Sequence, residues 1–127
     1  AKDGASARAF EQDCEEAILA AQPQGATGMA GALSEGLVAW RASKEAVARQ
    51  SDPGFVAYPF MEMTGLLALG MAWSRLQKNA DKSPNPERIS TTATFVRDWM
   101  LPETKSLSER ITSAEENLTI SEKAFQA

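Results

Sequence analysis

The feature that most constrains this chain is the stretch from Phe55 to Leu76, which is apolar on nearly every side of a helix. Such a helix must be surrounded, either by lipid or by other helices. A membrane-spanning helix needs roughly 20 apolar residues without charge, and here Pro59 and Glu62 interrupt the first third. We therefore expect the central helix of a bundle rather than a membrane span. Its small residues should let neighbouring helices come close: Gly65, Ala68, Gly70 and Ala72.

Length and charge narrow the possible classes of protein. The 127 residues form one domain, 1–127, and the net charge of −4 argues against a nucleic-acid partner. The chain contains no histidine, which removes the commonest metal ligand and general base. Cys14 is the only cysteine, so an intrachain disulfide is impossible and we expect a reducing, cytoplasmic location. Because helical periodicity starts directly after Ala1, we also expect a piece cut from a longer protein, a trimmed tag or processed Met being the alternative.

Apolar residues recur at spacings of three and four in the first half of the chain, which predicts two amphipathic helices before the apolar stretch. The first runs from residue 4 to 21, and the second from Thr27 to the turn at residues 51–54. The first helix should bury one stripe: Ala7, Phe10, Cys14, Ala17, Ile18 and Ala21. The second should bury another: Met29, Leu33, Leu37, Trp40 and Val47.

A fourth helix should begin at Pro86, because proline suits the first helical position. Its apolar residues follow a near-heptad rhythm: Ile89, Ala93, Val96, Met100, Leu107, Ile111, Ala114 and Leu118. Pro102 interrupts this rhythm and predicts a kink or a one-turn break near Leu101. Four helices joined by short loops predict an all-α, up-and-down four-helix bundle.

No group of residues in the sequence predicts catalysis, cofactor binding or metal binding. Glu62 is the one carboxylate in the apolar stretch, and it has two interpretations. It is either a buried acid with a raised pKa or a partly solvated residue in the first helical turn, stabilised by the helix dipole. The second interpretation is preferred because no second acid lies three or four residues away. Cys14 is expected to be a core thiol, because no basic neighbour would lower its pKa.

Aromatic residues supply the candidate contact sites. Trp40 and Trp73 are expected in the bundle core, whereas Trp99 lies beside Phe95 on a flanking face near the kink and is the better interface candidate. Arg75, near the end of the third helix, either meets an anion or is a solvated charge near a helix C-terminus. The interface candidates are therefore Phe95, Trp99 and Arg75.

The third helix and its surroundings resemble a known helical domain. The residues that carry the resemblance are Tyr58, the run FMEMTG at 60–65, Gly70, Trp73 and Arg75, then Phe95-Val96, Leu101-Pro102, Leu107 and Ile111, with Ala32-Leu33, Leu37 and Trp40 in the second helix. Together they are similar to the C-terminal domain of bacterial acyl-CoA dehydrogenases, the acetyl-CoA dehydrogenase C-terminal-like domain. The similarity covers residues 5–115. Pro59, where the family more often has leucine, and the polar tail after Ala114 depart from the pattern.

The resemblance implies a parent oxidoreductase of fatty acid metabolism that uses FAD to desaturate an acyl-CoA thioester. The flavin-binding and catalytic segments of that family lie upstream of this domain, so the chain alone should be inactive and should hold no FAD. The resemblance also implies that this chain is a C-terminal fragment. Such a fragment would pack on the dehydrogenase body of the same chain, build contacts with a second subunit in a homo-oligomer, or cover part of the acyl-CoA site.

Two alternatives compete with this interpretation. One is a stand-alone four-helix interaction module without enzymatic activity. The other is a small-ligand bundle with a pocket of roughly 300 Å³ or more between Trp40, Trp73 and Met63.

Overall fold

The computed structural model describes residues 2–22 and 27–114 of the chain. These residues form five α-helices: α1 (Lys2–Ala21), α2 (Thr27–Arg49), α3 (Gly54–Lys78), α4 (Pro86–Phe95) and α5 (Glu103–Thr112). A 3₁₀ turn, Ala80–Lys82, leads from α3 to α4, and a π-helical turn, Val96–Met100, leads from α4 to α5. We refer to α4, the π-helical turn and α5 together as the fourth helical segment. No strand occurs in the described residues, and the predicted all-α bundle is confirmed.

The central pair of the bundle is α2 and α3. Both α1 and α5 pack on each member of this pair, and α4 packs on α3. The apolar stripes expected from periodicity face this core, with Val47 and Ile18 half-buried at its edge. The most completely buried large side chains come from every one of the four helical segments: Cys14, Met29, Leu33, Val56, Met63, Leu67, Leu101, Leu107 and Ile111.

Two glycines allow α2, α3 and the fourth segment to approach closely. A Cβ atom on Gly70 would lie 2.9 Å from Cδ2 of Leu101 and 3.0 Å from Cδ2 of Leu33. A Cβ atom on Gly36 would lie 2.6 Å from Cδ2 of Leu67. Glycine inside a helix costs up to about 1 kcal/mol against alanine, and close packing at these two positions offsets that cost.

Trp40 ties α1, α2 and α3 together. Its ring lies 5.0 Å from that of Phe10 and 5.5 Å from that of Phe60, measured between centroids. Its indole N–H donates a 2.9 Å hydrogen bond to Oγ1 of Thr64, whose hydroxyl donates in turn to the carbonyl oxygen of Phe60. Met63, which the small-ligand alternative placed beside Trp40, is also fully buried in the core.

The fourth segment departs from the predicted heptad rhythm by one residue. In the π-helical turn, the N–H of Leu101 donates to the carbonyl oxygen of Val96, five residues earlier. The buried stripe therefore steps from Val96 directly to Leu101, which is 1 % exposed, while Met100 is only half-buried. The predicted break before Pro102 thus takes the form of a π turn, and the expectation that Met100 would be the core residue is wrong. Leu118 lies outside the described residues.

The third helix starts at Gly54, one residue before the apolar stretch, and Pro59 lies inside it. Glu62 is consequently about two turns from the N-terminus, and its side chain is exposed. Both the buried-acid interpretation and the first-turn position are wrong, although the solvated state of the carboxylate is confirmed.

The expectation that α3 is surrounded on all sides is also wrong. Gly70 packs against neighbouring helices, but Gly65, Ala68 and Ala72 are exposed. By length and composition α3 could cross a membrane, and 28 % of its most apolar 18-residue window is buried. Length and composition do not distinguish a span from the core helix of a bundle, and α3 makes a bundle helix's contacts with α1, α2, α4 and α5.

The close approach at Gly70 predicts a position-specific loss of stability. Gly70→Leu would force Leu33 and Leu101 out of place, and overpacking of this kind costs about 1–3 kcal/mol. Gly31→Leu is the matched control, because Gly31 also lies within a helix but has no atom within 4 Å of an added Cβ. Urea unfolding followed by circular dichroism should show Gly70→Leu to be less stable than Gly31→Leu. Equal stability of the two variants would contradict this packing.

Candidate interaction surfaces

A row of exposed apolar and small residues lies on the side of α3 that faces away from the bundle core. We define the outer face of α3 by six exposed residues: Tyr58, Met61, Gly65, Ala68, Ala72 and Leu76. Tyr58 is 75 % exposed and Met61 is 70 % exposed. Scattered apolar residues are normal on protein surfaces, but a contiguous apolar face marks a contact site.

A second apolar surface is formed by the stacked rings of Phe95 and Trp99. Their centroids are 6.3 Å apart and their planes are 18° apart. Phe95 is the last residue of α4, and Trp99 lies about one turn later, within the π-helical turn. Trp99 is 75 % exposed. Both residues were interface candidates from the sequence, and their exposure fits that role, which stays a prediction.

The remaining aromatic and cationic candidates differ in how far they are buried. Both Trp40 and Trp73 were expected in the bundle core. Trp40 is buried there, whereas Trp73 is half-buried and packs against the edge of the core. Arg75 is exposed in the last turn of α3. Among the described residues, neither a hydrogen bond nor a cation–π contact joins Arg75 to Phe95 or Trp99. The structure therefore stacks two of the three interface candidates, Phe95 and Trp99, on each other.

A groove of about 800 Å³ runs between α2 and the start of α5. Sequence reasoning did not find it, because it depends on the π-helical turn. The side chain of Arg97 lies over Gly28 at one end, and its guanidinium pairs with the carboxylate of Asp98 through bonds of 2.7 and 3.0 Å. Glu35 and Lys105 also line the groove. The groove contains both positive and negative side chains, and Arg97 is already paired with Asp98. These charges therefore favour neither an anionic nor a cationic ligand.

An ion cluster links α1 to α2. Glu11 accepts hydrogen bonds from Nζ of Lys44 at 2.8 Å and from Nε of Arg41 at 2.9 Å, and Arg41 also pairs with Glu15. The hydrogen bond from Lys44, followed by that from Arg41, lowers the pKa of Glu11 below its ordinary value. Because Arg41 is engaged in this cluster, it is a link between helices rather than a site for an external anion.

Cys14 is the single cysteine of the chain, and its side chain lies in the core. Burial raises the pKa of the Cys14 thiol to about 11, so the thiol is protonated and unreactive at neutral pH. This confirms the expected core thiol. Among the described residues, no group of three or more Cys, Asp or Glu side chains could hold a metal ion.

The described residues form an all-α bundle with exposed apolar surfaces. The family described as acetyl-CoA dehydrogenase C-terminal like matches residues 6–120. The chain belongs to this family, as the sequence resemblance indicated. No curated protein and no solved structure matches the chain.

The lowered pKa of Glu11 predicts a defined pH dependence. The charged form of Glu11 stabilises the fold above its unfolded pKa of about 4.3, and this stabilisation is lost as the pH falls through the lower folded pKa. Glu11→Gln should reduce stability at pH 7 by about 0.5–1 kcal/mol, the size expected of partly exposed pairs, and by progressively less below pH ~4. Urea unfolding at pH 7 and at a pH below ~4 measures the difference in the free energy of unfolding between the variant and the unaltered chain.

The control for this measurement is Glu45→Gln, which removes an exposed carboxylate of α2 outside the cluster. It should change stability little at either pH. A Glu11→Gln loss that is equally large at low pH would show that the cluster does not act through charge.

Proposed function

We propose that this chain is an accessory domain of an FAD-dependent acyl-CoA dehydrogenase, one that supports assembly and is not catalytic alone. The observation that carries the proposal is the family match over residues 6–120. The exposed apolar surfaces support it, because an accessory domain needs surfaces that the rest of the enzyme covers. The proposed parent acts in fatty acid metabolism in the bacterial cytoplasm.

The contact with the dehydrogenase body is assigned to the Phe95–Trp99 pair. Stacked aromatic rings bury a large area with little loss of conformational freedom, and tryptophan is enriched among residues that dominate binding energy. Arg75 is proposed as a second, weaker contact, since an exposed arginine at an interface rim contributes to steering more than to affinity.

The groove beside α2 does not fit FAD. A dinucleotide pyrophosphate needs converging cations or helix N-terminal N–H groups. In this groove Arg97 covers Gly28 and is neutralised by Asp98, and the carboxylate of Glu35 is nearby. FAD chemistry is therefore assigned to the parent enzyme's body, and no step of it is assigned to residues of this chain.

The alternative remains a stand-alone interaction module. Exposed aromatic residues serve such a module equally well, so fold and surface alone do not separate the two proposals. The family match favours the dehydrogenase, and association with a dehydrogenase body is the property that distinguishes them.

A binding experiment tests the proposed contact. The chain is mixed with the acyl-CoA dehydrogenase body encoded by the same genome, produced separately with FAD bound, and association is measured by isothermal titration calorimetry. Trp99→Ala should weaken binding at least about tenfold, because central aromatic anchors cost 2 kcal/mol or more when truncated. The chain alone should not oxidise an acyl-CoA.

Leu19→Ala is the matched control, since Leu19 is an exposed apolar residue of α1 that lies outside the proposed contact. It should bind like the unaltered chain. If the unaltered chain does not bind the body, the dehydrogenase proposal fails. If Leu19→Ala loses affinity while Trp99→Ala does not, the contact lies on another face.

A further inference from the structure

The residues of the outer face of α3 are exposed and are not part of the Phe95–Trp99 pair. We propose that two copies of this chain pair through that face, with their α3 helices antiparallel and crossing at Gly65. This inference stands on the geometry of α3 and does not require the dehydrogenase contact. The resulting dimer would have a two-fold axis and a self-complementary interface.

The order of large and small residues along α3 fits antiparallel pairing about Gly65. A two-fold axis at this position brings each residue opposite the one equally far beyond Gly65 in the second copy. Tyr58, seven residues before Gly65, then lies over Ala72 of the second copy, seven residues after it. Met61, four residues before, lies over the region of Ala68. At both places a large exposed side chain meets a small one, as in well-packed helix pairs.

The angular positions of these residues agree with the pairing. At 3.6 residues per turn, Gly65 and Ala72 lie along the middle of the outer face, and Met61 and Ala68 lie on the same side of that line. A two-fold axis perpendicular to both helices keeps residues of the two copies on the same side of the line between the helices. Met61 therefore reaches Ala68 of the second copy. Gly65 has no heavy atom within 4 Å of an added Cβ, which leaves room for a second helix.

Glu62 and Arg75 lie toward opposite edges of the outer face, so both charges stay at the rim, where water reaches them. The two-fold axis places the two copies of Glu62 on the same side of the pair, about 9 Å apart along the helices at 1.5 Å per residue. Water and salt screen the repulsion between charges at such exposed positions. The pairing therefore buries apolar and small residues without desolvating a charge, which would be costly without a partner.

The exposed area of the outer face can be compared with that of known interfaces. Tyr58 and Met61 are 75 % and 70 % exposed, and Leu76, at the end of the face, is 46 % exposed. Together these three side chains expose on the order of 400 Å². The small residues between them bring the face toward the roughly 800 Å² per partner of a standard interface. A face of this size is typical of a weak dimer, so the pairing should depend on protein concentration.

Sedimentation equilibrium of the 127-residue chain tests the pairing. The chain should dimerise, and Gly65→Leu should raise the dimer dissociation constant at least about tenfold, because a bulky side chain at the crossing point separates the helices. Gly31→Leu is the control, since it adds the same side chain to another open glycine. Circular dichroism should show that both variants keep the helical fold.

Thiol cross-linking tests the register. Gly65→Cys should form a covalent dimer under mild oxidation with copper–phenanthroline, because the two-fold axis brings the two substituted positions together. Gly31→Cys should not. A mixture of Tyr58→Cys and Ala72→Cys chains should cross-link to each other more than either does to itself. Native Cys14 gives no background, because it is 1 % exposed and its thiol is protonated.

Three results would overturn the proposal: a chain that stays monomeric at 100 µM or so, a dimer that Gly65→Leu leaves intact, or a dimer that cross-links through Gly31→Cys instead. Each of these is independent of binding to the dehydrogenase body. A monomeric chain that still binds the body through Trp99 would leave the proposed function standing while this inference fails.

Discussion

The structure depends on the close approach of α2, α3 and the fourth helical segment, which Gly36 and Gly70 permit. At these points there is no room for a Cβ atom beside Leu67, Leu33 or Leu101. In the same helices, Trp40 fills the space between α1, α2 and α3. Close helix packing at two glycines and the large ring of Trp40 therefore hold these helices together.

Two exposed apolar surfaces lie outside this core. The π-helical turn moves the buried stripe from Val96 to Leu101 and leaves Trp99 stacked on Phe95 in solvent. α3 buries one side and exposes a continuous apolar face on the other. Both surfaces are of the kind that partners cover. An accessory domain with two contact surfaces can join one partner while pairing with a copy of itself.

The sequence predicted the fold well because periodicity over long segments reports directly on which face is buried. The bounds of α2 and the buried state of Cys14 followed from that signal. It failed where local geometry departs from a regular helix. Nothing in the rhythm of the fourth segment distinguished Met100 from Leu101, because a π turn adds a residue without changing composition. The exposure of Gly65 was missed because small apolar residues suit both a packed interface within the chain and one between chains.

The central claim is that this chain is the accessory part of an acyl-CoA dehydrogenase, and the coding sequence upstream of Ala1 tests it most directly. We expect an in-frame segment that encodes a flavin-binding dehydrogenase body. A start codon or a stop codon immediately before the codon for Ala1 would contradict the account and would favour the stand-alone interaction module.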